Sequence, residues 1–216
     1  MNLLLYGAPG SGKGTQAHML RTHFGIPHIA TGDMLRAEIQ AGTPLGQKAQ
    51  PILAAGHYVS DDIMIAMIGN RLRLPDCSRG FIIDGFPRTI PQAVALDALM
   101  EELDRRFDRV LYLKVDLDEL LRRLSGRLVC PHCQLTYPPA TAVCAAEGSP
   151  LVQREDDKVE AVKTRIEIYL QKTIPVLDHS RGEALGTEID GMGTIDEISR
   201  QVLAAVKAPA TKRQIA

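Results

Sequence analysis

The sequence is poor in aromatic residues and carries almost no excess charge. It has no tryptophan, and only 4% of its 216 residues are aromatic, which argues against a broad platform for stacking single-stranded bases. Lysine and arginine number 25 against 26 aspartates and glutamates, a net charge of -1. Such a chain has no bulk attraction for nucleic acid or anionic lipid, so we expect neither as a partner. An anionic ligand would need cationic groups gathered locally.

Long apolar runs and cysteines are also scarce. No stretch approaches the ~20 apolar residues of a membrane-spanning helix, so we expect no membrane segment. The first residues lack the basic and apolar regions of an export signal. Of the four cysteines, Cys77 stands alone and is expected to be a small, partly buried apolar residue, whereas Cys130, Cys133 and Cys144 cluster. In a chain without an export signal, a C-x-x-C with a third cysteine nearby favours a metal over a disulfide.

Short apolar runs alternate with longer amphipathic stretches. The runs predict strands at residues 3–6, 26–30, 81–83 and 110–115, and a weaker one at 187–189. The amphipathic stretches predict helices at 13–24, 61–74, 90–106, 117–126, 157–179 and 194–207. This order predicts an α/β domain with a parallel sheet. Residues 31–60, which look helical, and 127–153, which hold the clustered cysteines, break the alternation, and we interpret both as insertions.

A glycine-rich loop directly follows the first predicted strand and opens the first helix. It reads GAPGSGKGT over residues 7–15. Glycines let backbone N–H groups surround a phosphate, and the helix N-terminus adds free donors. Lys13 would reach the outer phosphates and Thr15 would offer its hydroxyl to Mg²⁺, although Gly14 stands where this motif usually has Ser or Thr. The loop predicts nucleotide binding, but it does not separate a switch, a motor and a kinase.

Further motifs make the chain resemble the adenylate kinase family. They are TGDMLR at 31–36, DGFPR at 84–88 with Gln92, and QREDD at 153–157 with Arg165 following. The resemblance implies a P-loop nucleoside monophosphate kinase fold, with a five-stranded parallel sheet flanked by helices. It implies a core of residues 1–29, 60–125 and 159–216, an AMP-binding insertion at 30–59 and a lid at 126–158. It also implies reversible, Mg²⁺-dependent transfer from ATP to AMP giving two ADP, by a cytoplasmic monomer.

The same resemblance assigns the binding residues. The ATP phosphates would lie against the loop residues Gly10, Ser11, Gly12, Lys13, Gly14 and Thr15, and the rest of ATP against Arg123, Arg127, Thr136, Tyr137 and Gly193. AMP would bind at Thr31, Gly32, Arg36, the backbone of His57, Tyr58 and Val59, then Gly85, Phe86, Pro87, Arg88 and Gln92. Arg36 and Arg88 would hold its phosphate, and Arg123 would stack on the ATP adenine.

The chemistry implied by the resemblance is positioning and charge neutralisation rather than covalent catalysis. Arg127, Arg154 and Arg165 would close over the transferring phosphates, and Asp84 and Asp156 would hold Mg²⁺ through water. Five histidines lie in no motif and are given no catalytic role: His18, His23, His28, His132 and His179. The arginines outside the motifs are expected to be solvated surface charges: Arg71, Arg73, Arg79, Arg105, Arg106, Arg122 and Arg181.

The cysteine cluster falls in the segment that the resemblance makes the lid. Cys130, Cys133 and Cys144 would bind a structural Zn²⁺, and Glu147 stands at the fourth ligand position. His132 is a competing fourth ligand, cobalt and iron are alternative metals, and a decayed site with free thiols is the alternative to any metal. A bound metal would stiffen a segment that has little apolar core of its own.

Three other functions compete with this interpretation. The nearest is a nucleoside monophosphate kinase that acts on UMP and CMP or uses GTP. A P-loop switch GTPase would need a guanine-reading N-K-x-D stretch, and the sequence has none. A zinc-ribbon module for nucleic acid fits the C-x-x-C, but it conflicts with the near-neutral charge and the few aromatics.

Overall fold

A parallel five-stranded sheet forms the centre of the molecule. The computed structural model describes residues 1–181 and 186–208. Its strands are β1 (Asn2–Gly7), β2 (His28–Ala30), β3 (Phe81–Asp84), β4 (Arg109–Lys114), β5 (Leu128–Val129), β6 (Thr136–Tyr137) and β7 (Gly186–Asp190). The central sheet has the order β2-β3-β1-β4-β7, and every neighbouring pair is parallel. All five predicted strands are confirmed, although β2 starts two residues late because Pro27 has no N–H for the ladder.

Helices connect these strands and cover both faces of the sheet. They are α1 (Lys13–Phe24), α2 (Thr31–Gln40), α3 (Pro44–Ala54), α4 (Asp61–Leu72), α5 (Ile90–Glu102), α6 (Leu117–Ser125), α7 (Val159–Ile168), α8 (Ile174–Arg181) and α9 (Ile195–Lys207). Two helices end earlier than predicted. The first, α4, ends before Pro75, and the second, α5, ends before Asp104, which has a left-handed φ of 51°. The predicted capping box of Thr194 and Glu197 at the start of α9 is confirmed.

The predicted helix at 157–179 is interrupted. A short 3₁₀ turn at Glu155–Asp157 precedes α7, and a π-helical turn at Tyr169–Thr173 separates α7 from α8. Pro175 follows this turn, and a proline can neither donate a helical hydrogen bond nor tolerate the carbonyl four residues before it. The wider π turn accommodates both effects, and it buries Tyr169 and Thr173.

Successive residues of the strands are buried on opposite faces of the sheet. Leu4, Tyr6 and Ile83 belong to one apolar cluster, and Leu3, Leu5 and Ile82 belong to another. Burial on both faces explains why these strands are continuous apolar runs. Because both faces are covered, polar chemistry is left to the edge where the strands end, and there Asp84 lies beside Ala30, while β1 ends at Gly7.

The two predicted insertions have separate local structures. Residues 31–60 contain α2 and α3, as their pattern indicated, whereas residues 127–153 contain the antiparallel pair β5–β6 and no helix. Residues 182–185 and 209–216 of the predicted core segment 159–216 lie outside the described residues. Among the helices that the structure describes, none is both long enough and apolar enough to cross a membrane.

Two of the arginines that were expected to be solvated are only partly exposed and hold structural partners, so that prediction is wrong for them. Arg71 donates to both carboxylate oxygens of Asp76, at 2.8 and 2.7 Å. Arg105 donates to the carbonyl of Cys77 and stacks over the ring of Phe81 at 5.7 Å. Both arginines fix the 3₁₀ turn Pro75–Cys77, where Cys77 is fully buried rather than partly buried as predicted.

Candidate active site

A cavity of about 880 Å³ opens at the carboxyl edge of the sheet. The glycine-rich loop forms one wall, and Arg36, Arg88, Arg127, Arg154 and Arg165 project into it from the insertions and the core. These arginines are far apart in the sequence, and the fold brings them together around one space. A cluster of guanidinium groups on a chain of net charge -1 is the local concentration of positive charge that phosphate binding requires.

The glycine-rich loop wraps the start of α1. Gly12 precedes the helix with a φ of 94°, a left-handed conformation that other residues rarely adopt, and no side chain caps the helix. The free N–H groups of the first turn are therefore available to an anion. Lys13 folds back and donates to the carbonyls of Gly7 and Ala8 at 2.8 and 2.9 Å. Loss of solvent lowers the pKa of Lys13 to about 8, against the opposing attraction of Asp84.

Asp84 ends β3 directly beside this loop. Its carboxylate lies 3.4 Å from Nε2 of His28, and both side chains are largely buried. Burial opposes ionisation of Asp84, but the contact with His28 and the charge of Lys13 outweigh it and lower the pKa of Asp84. His28 was given no role from the sequence. The available signal was its position at the start of β2, the strand that pairs with β3.

The loop after β3 holds Arg88 in a fixed place. The Arg88 Nε atom donates to the carbonyl of Gly85 at 2.6 Å, and its backbone N–H donates to Gln92 Oε1 at 2.8 Å. The hydroxyl of Thr31 donates to the same Gly85 carbonyl at 2.8 Å. Gly32, Arg36, His57, Tyr58, and the run from Gly85 to Arg88 line the cavity.

Three predicted AMP-binding residues lie behind the cavity wall instead. Thr31, Val59 and Gln92 are buried, and none of them lines the cavity. Both polar atoms of the Gln92 amide also have protein partners, because its oxygen accepts from Arg88 and its nitrogen donates to Asp61 at 2.7 Å. In this structure Gln92 therefore supports the Arg88 loop from behind.

Carboxylates hold the arginines on the opposite side of the cavity. Asp157 accepts two hydrogen bonds from Arg127, at 2.8 and 2.5 Å, and a third from Arg165 at 2.9 Å. Arg165 also pairs with Asp156 at 3.0 Å. Burial opposes ionisation of Asp156, but the charge of Arg165, together with those of the neighbouring arginines, outweighs it and lowers the pKa of Asp156. The side chain of Asp157 is fully buried, although the sequence assigned it no role. The sequence did carry a signal for Asp157, because this acidic residue lies between Arg127 and Arg165, two arginines that are predicted to share one site.

Arg154 contacts residues of both predicted insertions. Its Nη2 atom is 3.6 Å from Asp33 and 3.4 Å from Gln134 Oε1, which also accepts from Arg36 at 3.2 Å. Burial, and then the neighbouring charges of Arg36 and Arg127, lower the pKa of Arg154. Its Nε atom and the hydroxyl of Ser11 are buried and have no hydrogen-bond partner among the described residues. Such donors indicate an anionic ligand.

The predicted adenine side of the ATP site lies at the cavity mouth. Arg123 donates to Glu119 at 2.6 Å and to the carbonyl of Gly191 at 2.8 Å. It therefore sits against the loop after β7, where Gly193 lines the cavity. Thr136 and Tyr137 line the cavity from the lid. Glu119, which fixes the direction of the Arg123 side chain, was not identified from the sequence.

Three cysteines of the lid meet at one point. The sulfur atoms of Cys130, Cys133 and Cys144 lie within 4.8 Å of one another, a spacing that suits a single metal ion. Cys130 Sγ is 3.2 Å from Ser149 Oγ, and Cys144 Sγ is 3.1 Å from the hydroxyl of Tyr137. Glu147, the predicted fourth ligand, does not join this group, because its side chain is exposed on the turn after Cys144.

The fold and the cavity together define a class of protein. A strand, a glycine-rich loop and a helix form a phosphate site, and arginines from the insertions form a second cationic region facing it across the same cavity. This is the arrangement of a P-loop nucleoside monophosphate kinase, which transfers a phosphoryl group between two bound nucleotides.

Comparison with known proteins gives the family. A family model described as adenylate kinase matches residues 5–184. The adenylate kinase of Trichlorobacter lovleyi is 49% identical over 212 residues, covering 95% of this chain and 99% of the relative. Those of Acidothermus cellulolyticus, at 45%, and Methanocella arvoryzae, at 44%, each cover 96% of this chain and 98% and 99% of their own length. The chain belongs to the adenylate kinase family, and the predicted fold class is confirmed.

Proposed function

We propose that this protein catalyses reversible, Mg²⁺-dependent transfer of a phosphoryl group from ATP to AMP, giving two ADP. The observation that supports this most is the convergence of Lys13, Arg88 and three further arginines, Arg127, Arg154 and Arg165, on one cavity of about 880 Å³. A phosphoryl group in transfer carries charge on three oxygens, and arginines placed around it stabilise that charge. The contacts of Gln134 with Arg36 and Arg154 across the cavity would also limit the access of water, the competing acceptor.

The two nucleotides would approach from opposite sides. The ATP phosphates would bind to the loop from Gly10 to Thr15, with Lys13 moving from the carbonyls of Gly7 and Ala8 to the outer phosphates. The AMP phosphate would bind to Arg36 and Arg88, with its base toward Gly32 and residues 57–59. In this arrangement Arg127, Arg154 and Arg165 contact the group in flight, and the transfer is direct and in line.

The carboxylates beside the loop fit a magnesium ion. Asp84 and Asp156 both line the cavity, and both have pKa values below the ordinary range, so they offer the ionised oxygens that Mg²⁺ prefers. We infer that they would hold the ion through water, and that the Thr15 hydroxyl would bind it as well. The ion would neutralise phosphate charge, and the residues themselves would orient the nucleotides.

The lid cysteines fit a structural zinc ion. Three sulfurs within 4.8 Å are a soft ligand set that selects zinc over magnesium. The fourth ligand would be either Glu147 or His132, whose exposed side chains would turn toward the sulfurs when the metal binds. The zinc would stiffen the lid at 126–158, and this lid and the insertion at 30–59 would hinge on the core of 1–29, 60–125 and 159–216. Because one chain carries both nucleotide sites, we propose a monomer, and on the family resemblance we place it in the cytoplasm.

Removal of Arg88 tests this proposal. Arg88→Ala should lower kcat/KM for AMP by about a hundredfold or more in an ADP-formation assay, with little change in Tm, since the lost charge contacts phosphate. Arg106→Ala is the matched control, because Arg106 is exposed at the end of the molecule away from the cavity. A near-normal kcat/KM in Arg88→Ala, or an equal loss in both variants, would contradict the assigned acceptor site.

A further inference from the structure

The ring of Tyr58 lies under the guanidinium of Arg88. Tyr58 stands in the segment between α3 and α4, at the end of the AMP-binding insertion, whereas Arg88 belongs to the loop after β3. The Arg88 Cζ atom is 4.9 Å from the centroid of the ring. A guanidinium at this distance from an aromatic face is attracted to it, and the attraction is larger where solvent is excluded. The insertion therefore touches the side chain of Arg88 directly.

The hydroxyl of Tyr58 reaches the same residue by a second route. It lies 3.0 Å from Thr173 Oγ1, and Thr173 donates to the backbone carbonyl of Arg88 at 3.1 Å. A threonine hydroxyl has a single proton, so Thr173 can donate to Arg88 only if it accepts from Tyr58. The relay therefore runs from Tyr58 through Thr173 to the Arg88 main chain. Thr173 is buried in the π-helical turn, so this turn places the hydroxyl that links Tyr58 to Arg88.

These contacts hold the backbone and the Nε atom of Arg88, while the two terminal nitrogens of its guanidinium stay available. The Nε atom is held by the carbonyl of Gly85 and the backbone N–H by Gln92. Within residues 1–181 and 186–208, no acceptor is bonded to the two terminal nitrogens of Arg88, which line the cavity. The arginine is thus held in one direction before any phosphate arrives, which reduces the entropy lost on binding.

We propose that Tyr58 is a positioning residue for Arg88, and that through its ring and its hydroxyl the AMP-binding insertion orients the arginine that receives the acceptor phosphate. This inference rests on the proposed function. It predicts that the effect of Tyr58 falls on AMP and not on ATP, because the Tyr58 contacts reach Arg88 and not the glycine-rich loop.

Substitutions of Tyr58 separate the ring from the hydroxyl. Tyr58→Leu removes both contacts and should raise KM for AMP about fivefold, with KM for ATP unchanged. Tyr58→Phe keeps the ring and should raise KM for AMP only about twofold. A purely structural role would instead lower Tm and weaken both substrates together, so Tm and KM for ATP are measured on each variant.

A double-variant cycle tests the relay. Thr173→Val should match Tyr58→Phe in its effect on KM for AMP, and combining the two should add nothing, because each breaks the same relay. Additive effects in the double variant, or an unchanged KM for AMP in Tyr58→Leu, would overturn the inference. Calorimetric binding of AMP to the wild-type protein is measured in parallel. AMP binding without phosphoryl transfer would show that the proposed function fails, whereas transfer that is insensitive to Tyr58 would show that only this inference fails.

Discussion

Replacing Asp157 by asparagine tests how the site holds its positive charge. The fully buried Asp157 carboxylate serves Arg127 and Arg165, whose side chains are each only 16% exposed. Asparagine keeps the shape but removes the charge, so two buried guanidinium groups lose a shared counter-ion. Breaking a buried pair in this way costs about 3 kcal/mol, which in a chain of this size corresponds to a fall in Tm of about 6–12 °C.

The measurement is thermal unfolding by circular dichroism in the absence of nucleotide. The control is Glu155→Gln in the same 3₁₀ turn, because Glu155 is 71% exposed and, within the described part of the chain, its side chain pairs only with the exposed Lys158. Surface ion pairs contribute little, so the control should shift Tm by less than about 2 °C. We also expect Asp157→Asn to lower kcat/KM for ATP about tenfold, because both arginines lose their anchor. Equal Tm values for the two variants would refute the argument that Asp157 neutralises this cluster.

Two further predictions concern the loop lysine and the lid. Because the pKa of Lys13 is lowered to about 8, its charge is present below that pH and is lost as pH rises through it. We therefore expect kcat/KM for Mg·ATP, which reports the free enzyme, to fall above about pH 8, and a level profile up to about pH 10 would contradict this. Cys130→Ser should lower Tm by several degrees and reduce bound zinc while leaving kcat within about twofold, since the metal stiffens the lid and does not touch the chemistry. Native protein that contains no metal by elemental analysis would end the zinc proposal.

The sheet and the glycine-rich loop could be predicted because each depends on local pattern. Strands buried on both faces are continuous apolar runs, and β1, β3 and β4 could be located from composition alone. The loop needs glycines at fixed spacing before a helix, so its sequence almost determines its shape. The motif arginines could likewise be identified from their spacing in the sequence. As expected, one cavity is lined by Arg36, Arg88, Arg127, Arg154 and Arg165.

The residues that were missed act through partners distant in the sequence. Asp157 neutralises Arg127 across 30 residues, and His28 reaches Asp84 only because β2 and β3 pair. A single sequence shows which residues carry charge, but pairing across the fold decides which charges are compensated. Gln92 shows the same limit of a single sequence. Its motif indicates a nucleotide contact, but only the folded structure shows that its buried amide is bonded to Arg88 and Asp61.

The lid shows a different limit. The sequence spacing of Cys130, Cys133 and Cys144 was enough to predict that they meet, because the two loops of the lid that carry them face each other. The prediction of Glu147 as fourth ligand depended on the direction of an exposed turn, which spacing does not determine. Ser149 and Tyr137, which contact the cysteine sulfurs instead, carry no metal-binding signal in the sequence.

The acceptor specificity tests the central claim most directly. ADP formation from Mg·ATP is measured with AMP, CMP, UMP and GMP as separate acceptors, and without any acceptor, on the purified protein. We predict fast turnover with AMP and little with the other acceptors or with none. A preference for CMP or UMP would keep the fold and the transfer chemistry but overturn the AMP assignment. Absence of transfer to every acceptor would contradict the proposal that two nucleotides meet in this cavity.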